Sequence, residues 1–108
     1  MANSFKFKGV ALATTNETAL LTAASDETLI IKSIRITNNT SNTPTISLDV
    51  SDNSASTEYT ILKTQTLSAN TGIELLKVPI VLEASDAIKA TMSSTDSTHI
   101  GISYLVIT

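Results

Sequence analysis

A single antiparallel β-sandwich of about eight strands, wound in the manner of a jelly roll, is the fold class this sequence predicts. Three observations predict it. Apolar residues recur at every second position in run after run, and turn-forming clusters interrupt those runs at intervals of roughly 10 to 14 residues. In addition, Ser and Thr make up roughly 30% of the chain, and the branched Cβ of Thr suits a pleated, half-solvated strand. The 108 residues are enough for one domain with one core. Charged residues reach only 16%, while apolar residues at 42% supply the Ile, Leu and Val that a disordered Ser/Thr-rich segment lacks.

The N-terminal segment, about residues 1–10, alternates Phe5 and Phe7 with Lys6 and Lys8. An extended backbone there puts two rings on one face and two ammoniums on the other, which suits either a first strand of the sandwich or a short arm that staples one protein to another. A helical turn is possible at Ala23 to Glu27. Thr28 to Thr37 carries Ile30, Ile34 and Ile36 on one parity, and the cluster Asn38 to Pro44 ends it as a turn. Thr45 to Val50 is the clearest strand, with Ile46, Leu48 and Val50 opposed to Ser47 and Asp49. Weaker runs follow at Glu58 to Leu62, Gly72 to Leu82 and Asp86 to Met92. Pro79 has no N–H to give to a ladder, so the run through it breaks there or lies at a sheet edge. Ser51 to Thr57 and Ser93 to Thr98 read as surface loops. The expected core is Ile34, Ile36, Ile46, Leu48, Val78, Ile80, Leu82, Ile88 and Val106.

Several classes of chemistry lack their residues. There is no cysteine, so disulfides and thiolate metal sites are excluded. A net charge of −3 offers no broad cationic surface for nucleic acid, and no apolar run approaches the roughly 20 residues that span a bilayer. Nor does the start of the chain carry an apolar stretch of signal-peptide length, so it reads as made and folded in the cytosol. His99 is the single histidine, and three glycines are too few to build a phosphate cradle. Asp49, Asp52, Asn53 and Glu58 carry oxygens of the kind that hold Ca²⁺, but their spacing misses the EF-hand pattern and its glycine, which leaves a solvated loop. A glycosidase needs aromatic walls, and this chain has no Trp and only Phe5, Phe7, Tyr59 and Tyr104; the same shortage weakens a carbohydrate-binding β-sandwich module. The acceptor triplets that begin at Asn16, Asn38 and Asn39 are what a chain rich in Asn and Thr produces by chance. The residues therefore point to a protein that binds other proteins, with no enzymatic activity and no cofactor.

The last run, His99 to Thr108, is apolar on both parities near its end, with Tyr104 and Val106 on one and Leu105 and Ile107 on the other. Two readings stand: a central strand whose outer face is covered by the chain's own N-terminal segment, or a strand that meets another subunit. The candidate interface residues are accordingly Phe5, Lys6, Phe7, Lys8, Tyr104, Leu105 and Ile107.

Two stretches carry a resemblance. Met1-Ala-Asn-Ser-Phe-Lys6, followed by Thr28-Leu-Ile-Ile-Lys-Ser-Ile-Arg-Ile-Thr-Asn38 and Asn39-Thr40, resembles the start and first long strand of small virion structural proteins from tailed, especially marine, bacteriophages. Pro79-Ile-Val-Leu-Glu-Ala-Ser-Asp-Ala-Ile-Lys-Ala-Thr91 and Ile102-Ser-Tyr-Leu-Val-Ile-Thr108 are similar to that family's "LVLEAGDxIKVT" turn and closing "VSYLEIT" strand. The sequence departs from the pattern at Ser85, where the family has glycine, and at Val106, where it often has an acid. The resemblance implies a virion protein made in the host cytoplasm and placed on the outer surface of the particle. Its expected role is a capsid decoration (cement) protein on the major capsid protein, or else a small tail, neck or fibre subunit. It also implies a homo-oligomer, with a trimer favoured by the threefold positions of a phage head. A carbohydrate-binding β-sandwich module stands as the second alternative to a virion role.

Overall fold

The computed structural model describes residues 3–108; Met1 and Ala2, the first two residues of the resemblance, lie outside it. Nine strands form two antiparallel sheets: β1 (Asn3–Leu12), β2 (Thr18–Thr22), β3 (Thr28–Asn38), β4 (Thr45–Asp52), β5 (Thr57–Thr66), β6 (Gly72–Glu74), β7 (Ile80–Leu82), β8 (Ala87–Met92) and β9 (Thr98–Ile107). One sheet runs β1-β9-β3-β6, with β7 also on β3, and the other runs β2-β8-β4-β5. Because β6 and β7 pair with successive parts of β3, they are one strand position interrupted by residues 75–79. Counted so, eight strand positions wind as two interlocked Greek keys, the jelly-roll order.

The core lies between the sheets. Ile34, Ile36, Ile100 and Ile102 from one sheet meet Ile46, Leu48, Ile88 and Met92 from the other, all essentially without solvent contact. Each such side chain contributes roughly 1.5–3 kcal/mol by leaving water. Seven of the nine expected core residues are in place. Val78 is not: it is 70% exposed in the segment that interrupts β6 and β7, and Ile80 is only partly buried against the core. The break therefore spans residues 75–79 rather than Pro79 alone.

Ile30 also departs from expectation. A bulge between Ile31 and Ser33 inserts one extra residue opposite β9, so parity changes along β3. Leu29 and Ile31 fill the core before the bulge, Ile34 and Ile36 after it, and Ile30 turns outward. Glu74 holds the irregularity: its carboxylate accepts the Ile34 N–H at 2.8 Å and the Ser33 hydroxyl.

Ala24 to Glu27 forms a hydrogen-bonded turn, with Glu27 N–H donating to the Ala24 carbonyl at 3.1 Å, and not a helical turn. Asn38, wholly buried, ties two loops together. Its amide donates to the carbonyls of Asn42, Leu67 and Ser68, and its Oδ1 accepts from Thr40 N–H at 3.0 Å and Thr40 Oγ1 at 2.7 Å. At the β7–β8 turn Ser85 has φ 67°, the left-handed conformation to which the resemblance assigns glycine. Asp86 closes that turn by accepting the N–H groups of Glu83 and Asn53.

Candidate interaction face

The register of β1, β9, β3 and β7 determines which side chains share the outer face of the five-stranded sheet. Phe5 pairs with Leu105, Leu105 with Ile30, and Ile30 with Val81, which makes one apolar row across four strands. Cross-strand neighbours of this kind stand about 5 Å apart and pack on one another. Ile107 lies one row to one side of it, and Phe7 with Ser103 one row to the other. Phe5 is 75% exposed and Phe7 71%, values that a folded monomer rarely leaves on two neighbouring rings.

Beyond Phe7 the face becomes shallow and polar. Gly9 pairs with Gly101, and the two leave a groove of about 570 Å³ bordered by Phe7, Ser33, Arg35, Thr37 and His99. The Phe7 ring lies across the gap: a Cβ on Gly101 would come within 2.9 Å of Phe7 Cε1. The absence of a side chain at Gly101 is what lets the Phe7 ring rest on the backbone there.

The sequence-derived interface residues divide on this geometry. Phe5, Phe7, Leu105 and Ile107 share the outer face. Tyr104 does not; it stands on the opposite parity, half-buried against the core. Lys6 and Lys8 share Tyr104's side of the sheet yet remain exposed, because the β1 end that carries them is not covered by the other sheet. The N-terminal segment is, from Asn3 on, the edge strand beside β9, so it does not cover β9's outer face. Ile30 and Val81 belong to the row but were missed in the sequence. The unseen bulge hid the first, and the second has only its odd position between Ile80 and Leu82 to mark it.

The acidic residues assemble differently from the expected loop. Asp52 caps its own turn, accepting from Ser54 N–H at 3.1 Å, whereas Asp49 and Glu58 meet Glu17 on the outer face of the four-stranded sheet. Their carboxylate oxygens lie within 4.8 Å of one another, a spacing that suits a cation, and the Lys89 ammonium stands among them. Lys89 Nζ is 3.0 Å from Glu58 and 3.8 Å from Glu17. Partial desolvation, then the charge of Glu58, raises the Glu17 carboxyl above its usual range, and the bond to Glu58 raises Lys89. His99, at the rim of the groove, makes no side-chain hydrogen bond or ion pair among the described residues.

No protein-family model matches the sequence, and comparison with curated proteins finds no match. Solved structures do share the fold. A chain of infectious bursal disease virus, Gx strain, superposes with TM-score 0.57 at 11% identity over 99% of this chain, which spans only 33% of that one. The core of Drosophila NLP, described in terms of pentamer formation and histone binding, gives 0.54 at 16% identity over 94% of this chain and 98% of that. A Bacillus endospore appendage, a pilus protein, gives 0.53 at 8% identity over 100% and 91%. At these identities the likeness is one of fold: an all-β sandwich found in a viral protein, a pentamer and a pilus.

Proposed function

We propose that this chain is a non-enzymatic virion structural protein, most specifically a decoration protein on the outside of a bacteriophage head. The observation that carries the reading is the apolar row Phe5, Leu105, Ile30 and Val81, left open on one face of a domain whose other outer face is polar. An exposed apolar row of this kind marks a surface that another protein covers, as in an assembled particle. The resemblance of the turn at Pro79 to Thr91 and of the closing strand at Ile102 to Thr108 to phage virion proteins supports that location, and the jelly roll is a fold that capsid proteins use. Copies on the shell would act as homo-oligomers. Electron cryo-microscopy of the intact virion tests the reading. Hundreds of copies over the head would support decoration, whereas a few copies at a vertex or along the tail would assign the chain to the tail or neck instead. Density on neither would overturn the virion role.

A further inference from the structure

We propose that the outer face of the five-stranded sheet is the self-complementary interface of a twofold dimer, in which two copies pack sheet against sheet with their strands antiparallel across the interface. The inference does not depend on where the protein resides. Its warrant is the distribution of charge about the apolar row. Along β3 the face runs from Thr28 through Ile30 to Lys32 and Arg35. On the Thr28 side stand acids: Asp26 in the preceding turn, and Glu83, which continues β7 past the Leu82–Leu29 pair to the level of Thr28. On the other side stand Lys32 and Arg35. Among the described residues none of these four groups has an ion pair, and the pairs that Lys89 makes with Glu17 and Glu58 lie on the other sheet.

A dyad lying across the strands at the level of Ile30 sets each level of one copy over the level equally far beyond Ile30 in the other. Phe5, Leu105, Ile30 and Val81 then meet their own equivalents. Lys32, just past the row, comes over Glu83 of the second copy, just before it, and Arg35 comes over Asp26. A dyad running along the strands would instead set cations over cations. A threefold contact is heterologous and needs two different complementary patches, whereas this face is one patch complementary to itself. Four strands about 4.8 Å apart and five rows about 6.7 Å apart give on the order of 600 Å² per copy. That is somewhat below the roughly 800 Å² of a standard interface, so association in the micromolar range is expected.

Sedimentation of the whole chain over a concentration series is the test, with charge reversal as its control. Wild type should dimerise, and its dissociation constant should rise severalfold between about 50 and 500 mM salt. Lys32→Glu/Arg35→Glu and Asp26→Lys/Glu83→Lys should each weaken dimerisation at least tenfold, because each homodimer then sets like charges together at all four contacts, two pairs each repeated by the dyad. An equimolar mixture of the two should dimerise within a few-fold of wild type, since the heterodimer restores every pair. Phe5→Asp, at a position exposed in the monomer, should abolish the dimer and leave unchanged the melting temperature measured well below the wild-type dissociation constant, where both proteins are monomeric. A wild type that stays monomeric to millimolar concentration, a trimer, or a mixture that fails to recover would each overturn the dyad. The virion role would stand or fall separately on the particle reconstruction, in which the same face seated on shell protein would also refute the dyad.

Discussion

The two outer faces of this sandwich are built on the same alternation and finish with opposite chemistry. On the four-stranded sheet, the outward positions of β4 and β8 are Ser47, Asp49, Ser51, Lys89 and Thr91, with the small Ala87 beside Ser51. On the five-stranded sheet, the corresponding positions of β1, β9, β3 and β7 include Phe5, Phe7, Leu105, Ile107, Ile30 and Val81. The inner faces of the two sheets, by contrast, are alike, both of buried Ile and Leu. Period 2 thus serves folding equally in both sheets, while only one outer face is finished for water. Residues that hold the domain together and residues that give it something to bind are separated by the thickness of one sheet.

The largest effects should be shared by both sheets. Ile34→Ala in one and Ile88→Ala in the other should each cost about 2–5 kcal/mol in urea unfolding, since both side chains are wholly buried. A much smaller cost on one side would mean that the two inner faces are not equivalent. Asn38→Ala should cost about 2–3 kcal/mol, because it strands the buried Leu67 carbonyl and the Thr40 groups that Asn38 now satisfies. Ser85→Gly should add about 0.5–1 kcal/mol by relieving the positive φ, measurable as a rise in the urea midpoint. The sharpest contrast is with the apolar outer face: Phe5→Ser with Phe7→Ser should change stability by less than about 1 kcal/mol, yet remove binding to particles or to a second copy. Loss of fold instead would move those rings into the stabilising set and dissolve the distinction between the faces.

The smallest effect belongs to the polar face. Lys89 has its pKa raised in the folded state, so its contribution is fully present below the unfolded lysine value and is lost as pH rises through the higher folded value. Glu17, also raised, favours folding most when protonated, and that contribution is lost as pH climbs above the ordinary carboxylate range. Lys89→Met should lessen the alkaline fall in the urea midpoint and raise the Glu17 titration further by NMR, since the ammonium is the one group there that lowers it.

Much of the fold was legible in the chain. The runs at Thr45 to Val50 and His99 to Thr108 correspond to β4 and β9 within a residue or two, because long uninterrupted alternation has one physical solution at a half-buried surface. The β2 strand, five residues long, has no period-2 signature, since its apolar pair Leu20 and Leu21 breaks the alternation at a bulge. Residues 75–79 carry the pattern of a strand because Leu76 and Val78 keep the period although the ladder has stopped.

By itself, the sequence determined the class of the fold, most of its core and the opposition of Phe5 and Phe7 to Lys6 and Lys8, since these follow from side-chain parity along one strand. Which apolar face would be left open was decided only by the tertiary structure. Parity says that two faces differ, but which of them looks inward depends on the partner strand, and the bulge after Ile31 reverses that assignment partway along β3. The row from Phe5 to Val81 draws on four strands distant in sequence, so it exists only once register has been set by pairing.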